Sequence, residues 1–126
     1  MNTAATPYAL LVRFTLRQGA ETDFDALVSH TVSLIQEHEP KTLAYVVHHT
    51  DVPAERVFYE LYHCRDAFDV HEQQPYIREF LAERGPLLAC APEVTELIPA
   101  AAAWQHDTPY CGVPVSDQRA DGAVRP

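Results

Sequence analysis

Apolar positions recur along this chain in two rhythms, and the changes between them mark out its elements. Tyr8 to Leu16 is rich in aliphatic residues with Arg13 as its only charge, which predicts a largely buried first strand. Arg17-Gln-Gly-Ala20 reads as a turn. Thr22 with Asp25 three residues on resembles a helix-start capping box. Phe24, Leu27, Val28, Thr31, Leu34, Ile35 and His38 then recur at helical spacing, and Pro40 ends that helix. Period-two runs follow at Leu43 to Asp51 and Arg56 to Cys64, joined by Val52-Pro-Ala-Glu55 as a hairpin connection. Asp66 to Glu72 predicts a short helix. Pro75 suits the first position of another, whose apolar stripe is Tyr76, Ile77, Phe80, Leu81, Leu87 and Leu88. Gly85-Pro86 interrupts that helix, and Glu93 to Ile98 is a short last strand.

The order is β-α-β-β-α-β, an α+β, ferredoxin-like arrangement of an antiparallel sheet. Such a sheet carries helices on one face only, so its other face needs a cover, and a second copy of the chain is the simplest one. Residues 1–99 form this domain. Residues 100–126 change composition and read as an extension, with Trp104 and Tyr110 able to tie it to a partner subunit and Ser116 to Pro126 composed like a flexible tail.

The hairpin is the most informative segment. If Asp51 pairs with Arg56, Tyr45 lies opposite Tyr62 and Val47 opposite Glu60. One face then holds Tyr45, His49, Phe58, Glu60 and Tyr62. A carboxylate and two phenols on an otherwise apolar face suggest the lining of a pocket.

Composition narrows the function. Hydrophobic residues make up 47% of the 126, enough for a globular core. A net charge of −9 excludes a nucleic-acid partner and disfavours anionic membrane surfaces. No stretch is long and apolar enough to span a bilayer, and Met1 to Pro7 lacks the features of a signal peptide. Cys64, Cys90 and Cys111 form no metal-type or redox-type pair and read as reduced thiols, which places the chain in the cytoplasm. His48 and His49 point to opposite faces, and His30 and His38 stand eight apart, so no metal site is expected. Scattered glycines exclude a nucleotide or flavin fingerprint, and no serine sits in a nucleophile elbow.

Glu39-Pro40-Lys41, Tyr45, Phe58 with Glu60 and Tyr62, Ala67 with His71, and Pro75 with Phe80 together carry a resemblance. They resemble the motifs of the antibiotic biosynthesis monooxygenase family, small dimeric α+β barrel proteins that include quinol monooxygenases. The likeness covers roughly Tyr8 to Pro99. Lys41 stands where the family usually has Gly, Tyr62 stands where Trp is common, and the extension is not accounted for by the family core.

The resemblance implies a homodimer that oxidises a phenolic or quinol-type aromatic compound, such as a polyketide, with dioxygen and no cofactor. His71 would be the base, since an imidazole can take a proton from a phenol near neutral pH. Glu60 would orient His71 or hold a substrate hydroxyl; its bland alternative is an ion pair with Arg13 or Arg78. Tyr45, Tyr62, His49, Phe58, Tyr76 and Phe80 would bind the substrate. Two other classes fit the same residues: an isomerase or tautomerase of a small carbonyl compound, and a non-catalytic small-molecule-binding dimer. A haem-degrading role lacks an axial-ligand arrangement beyond a lone His71.

Overall fold

The computed structural model describes residues 6–103. Strand β1 (Tyr8–Thr15) alternates faces, with Leu10, Val12 and Phe14 buried on one side and buried Ala9 and half-buried Leu11 on the other. Apolar side chains on both faces suit a central position, and β1 lies inside a four-stranded sheet of order β2-β3-β1-β4. All three pairings are antiparallel. The element order is β1, α1 (Glu21–His38), β2 (Thr42–His49), β3 (Glu55–Tyr62), α2 (Arg65–Gln73), α3 (Pro75–Arg84), a 3-10 turn (Gly85–Leu87) and β4 (Glu93–Leu97). This is the open, antiparallel ferredoxin-like sheet expected from the sequence. The extension beyond Ala103, including Trp104 and Tyr110, lies outside the described residues.

Helix α1 buries Phe24, Val28, Thr31 and Ile35, spaced by four, three and four residues. The expected capping box does not form. The helix begins at Glu21 after Gly19, whose φ of 84° turns the chain, and Ala20 caps it without a side-chain hydrogen bond. Asp25 instead accepts two hydrogen bonds from Arg56, at 2.9 and 3.0 Å. Arg56 is buried, and its Nη1 donates to the carbonyls of Pro53 and Glu55. A long-range guanidinium is a stronger partner for a carboxylate than the helix's own amides.

That pair holds the Asp25 carboxyl below its ordinary range, chiefly through the Arg56 hydrogen bond. A depressed carboxyl contributes stability above its unfolded pKa and loses it as pH falls through the folded value. Asp25→Asn therefore costs about 1–2 kcal/mol at pH 7 by urea denaturation. The lower figure reflects the 37% exposure of the Asp25 side chain. The gap between wild type and variant closes as pH falls below the ordinary aspartate range.

The hairpin departs from its expected register. Tyr45 faces Glu60, Val47 faces Phe58 and His49 faces Arg56, a slip of two residues. The connection is longer than expected, because Thr50 leaves the strand: its hydroxyl donates to Glu55 Oε1 at 2.7 Å and accepts the Val52 amide at 3.0 Å. A slip of two keeps every side chain on its face.

The helix-covered face holds the core. Phe14, Phe24, Phe58 and Phe80 pack with ring centroids 4.6–6.4 Å apart. The opposite face carries Leu11, Val57 and Tyr59, all half-buried, and Val46, which is 44% exposed. No helix among the described residues is long and apolar enough to cross a membrane.

Candidate functional site

Helix α2 turns Ala67 and His71 inward, one helical turn apart, and both are buried. The His71 imidazole lies among Tyr45, Tyr62 and Phe68, with centroids 5.5, 5.2 and 6.2 Å away. Its Nδ1 is 2.8 Å from Glu39 Oε1. Glu39 sits in the link between α1 and β2, where its amide still bonds the Ile35 carbonyl and Pro40 forbids another turn. The same carboxylate accepts the Thr42 hydroxyl at 2.7 Å and the Tyr76 hydroxyl at 2.5 Å. Burial alone would raise the Glu39 carboxyl, but the bonds from His71, Tyr76 and Thr42 outweigh it and hold Glu39 below the ordinary range.

An ionised Glu39 is an acceptor only, so the bonded Nδ1 carries hydrogen, and in the neutral imidazole Nε2 is the nitrogen left to accept a proton. Nε2 has no hydrogen-bond partner among the described residues, yet none of their fully buried polar side-chain atoms lacks one. Nε2 is therefore accessible, and His71 lines a cavity of about 290 Å³. Leu10, Val12, Ile77, Phe80 and Leu81 make much of its wall, with Tyr45, Glu60, Glu72 and Arg84 as its other polar groups.

Glu60 makes no hydrogen bond to His71. Its Oε1 accepts the Tyr62 hydroxyl at 2.6 Å, and the carboxylate bonded to His71 is Glu39. Nor does Glu60 pair with Arg13 or Arg78, for Arg13 turns to Glu55 and Glu93 on the other face and Arg78 is exposed. Burial raises the Glu60 carboxyl above the ordinary range despite the Tyr62 bond, which favours its neutral, proton-carrying form. Burial also raises the Tyr45 hydroxyl well above a normal phenol.

Of the expected substrate-binding residues, Tyr45 and Phe80 line the cavity. Phe58 lies behind Tyr45 as core, and Tyr62 is enclosed behind Glu60 and His71. Tyr76 turns its hydroxyl to Glu39 instead of to the cavity. His49 is excluded by position: its side chain is 65% exposed at the hairpin end of the sheet, with Nε2 3.6 Å from Asp25. The shared strand face placed it correctly in parity but not along the strand.

Glu39 and Arg84 were missed as site residues. Glu39 had a signal, because a carboxylate at a helix C-terminus opposes the helix dipole and calls for a partner. Arg84 had none, because a base in a last turn is the favoured choice there. Among the described residues, no group of three or more His, Cys, Asp or Glu side chains is placed to hold a metal ion. A second hollow, of about 300 Å³, opens at the α1–β2 link, with Glu39, Lys41, Cys64 and Val70 among its lining.

The comparisons with known proteins agree with this architecture. Rv0793 of Mycobacterium tuberculosis is 28% identical, with 79% of this chain and 100% of that one covered and a TM-score of 0.74. A Caulobacter crescentus protein described provisionally as an antibiotic biosynthesis monooxygenase is 19% identical, covering 78% and 93%, with a TM-score of 0.73. PA3566 of Pseudomonas aeruginosa is 18% identical, covering 79% and 100%, with a TM-score of 0.71. Below 25% identity such likeness speaks for the fold alone. No functionally curated protein matches the chain. The model of the antibiotic biosynthesis monooxygenase family matches residues 7–83, from before β1 to the last turn of α3, and the chain therefore belongs to that family.

Proposed function

We propose that this chain is a monooxygenase that oxidises a phenolic or quinol-type aromatic compound with dioxygen, without a bound cofactor. The observation that carries the reading is His71 in the wall of a cavity lined mainly by apolar side chains, held from behind by Glu39. His71 Nε2 takes the phenolic proton, and the fixed Glu39 carboxylate stabilises the imidazolium that forms. The aromatic anion passes one electron to dioxygen, and the radical pair recombines as a carbon-bound peroxide. Loss of a C–H proton and cleavage of the O–O bond leave one oxygen as carbonyl and release the other as water. Glu60, whose carboxyl burial raises above its ordinary range, and the His71 imidazolium each give a proton to the departing oxygen, and the C–H proton passes to the Glu60 carboxylate, so both groups return to their starting forms. Tyr45 and Phe80 flank the ring.

Oxygen uptake on an anthrone or naphthoquinol is the test. The expected result is enzyme-dependent consumption of one dioxygen per carbonyl formed. Tautomerisation of the same compounds under nitrogen, with no uptake in air, would replace this reading with an isomerase, which two acid/base groups in one cavity would also serve.

The same reading has two copies closing their open sheet faces on each other, with the work done in the cytoplasm. Leu11, Val46, Val57 and Tyr59 make that face apolar enough to favour cover. Sedimentation velocity at micromolar concentration should give a dimer, and Val46→Glu with Val57→Glu should give a monomer. A wild-type monomer at that concentration removes the dimer from the proposal.

A further inference from the structure

Helix α3 presents Ile77, Phe80, Leu81 and Arg84 to the cavity at helical spacing. Its apolar stripe thus ends, about 10 Å further along the axis, in a cation. The Arg84 guanidinium is half-buried and lies 5.2 Å from the Phe14 ring centroid and 5.7 Å from that of Phe80. Among the described residues it makes no ion pair and no hydrogen bond. Its neighbours one turn back are Phe80 and Leu81, so α3 offers no carboxylate at i−3 or i−4. By contrast Arg13, Arg56 and Arg65 each meet a carboxylate, and Arg17 meets the Pro86 carbonyl.

A guanidinium withdrawn from water without a partner is costly, and burial lowers the Arg84 pKa accordingly. The groups that face it are Tyr45, Glu72 and Glu60, none near enough to hydrogen-bond. Burial raises the Glu60 carboxyl, which works against its charged form, and Glu72 is exposed to solvent, which screens it. Five donors in a planar fork match a carboxylate better than any other common aromatic substituent.

We propose that Arg84 anchors the ligand of this cavity through a carboxylate, so that the compound taken is a phenolic aromatic acid. The inference rests on the cavity being the substrate site, as proposed above. Arg84 then determines specificity and fixes the ring, while His71 meets the phenolic hydroxyl.

Calorimetry at neutral pH with 6-hydroxy-2-naphthoate and uncharged 2-naphthol tests it. Wild type should bind the acid at least about tenfold more tightly. That preference should vanish in Arg84→Gln and return in part in Arg84→Lys, which keeps the charge but loses the fork. Equal wild-type affinities, or a preference that survives in Arg84→Gln, overturn the anchor. The wild-type ratio decides the matter even if a variant fails to fold. Binding of 2-naphthol without an advantage for the acid removes the anchor alone. Failure of both compounds to bind at millimolar concentration removes the substrate cavity and the anchor with it.

Discussion

His71→Ala lowers oxygen-consuming turnover of a verified quinol by about 10²–10⁴-fold, the contribution of a positioned general base. The alanine keeps the helix, and the cavity only widens, so the circular dichroism spectrum should match wild type. Near-normal oxygen uptake in this variant would move the base elsewhere, with Glu60 as the next group in the same cavity. Glu39→Gln supplies the companion measurement. It preserves the hydrogen-bond acceptor but removes the charge that balances the imidazolium. The rate constant kcat should fall by about tenfold or more with KM little changed, because the interaction strengthens only as the proton arrives. A loss confined to KM would make Glu39 a binding residue and not a positioning one. Stability should follow the depressed Glu39 carboxyl: its contribution is whole above the ordinary glutamate range and disappears as pH falls below it. Glu39→Gln removes that part of the acid sensitivity.

Phe58→Ala costs about 3–5 kcal/mol by urea denaturation, the largest stability effect expected of a single core truncation here. Phe58 has no exposed surface and joins the sheet to three other phenylalanines and to Tyr45. The packed rings cannot close around the space without leaving their rotamers, so the cavity term is added in full. Because Tyr45 loses the edge of Phe58 against its ring, catalytic affinity should weaken as well. A cost below about 1.5 kcal/mol would mean that the neighbouring helices collapse into the gap.

Local pattern determined much of this protein. The two-residue alternation of β2 and β3 assigned Tyr45, His49, Phe58, Glu60 and Tyr62 to one face, and that assignment survives a hairpin slip of two because parity is unchanged. The family resemblance coupled His71 with Ala67, and α2 turns both inward. The family motifs pointed to His71, Glu60 and Tyr45, and these share one cavity wall. Tertiary packing decided the rest. Which carboxylate reaches His71 depends on the docking of the α1–β2 link against α2, 32 residues away in sequence, and that choice fell on Glu39 and left Glu60 to Tyr62. Asp25 left its own helix terminus for Arg56, a partner 31 residues distant. Strand alternation states a side but not a position along it, so His49 shares the face of the site and stands outside it. Arg84 reads in the chain as an ordinary last-turn base; only the apolar walls that α3 and β1 bring around it leave it in the cavity without an ion pair or hydrogen bond among the described residues.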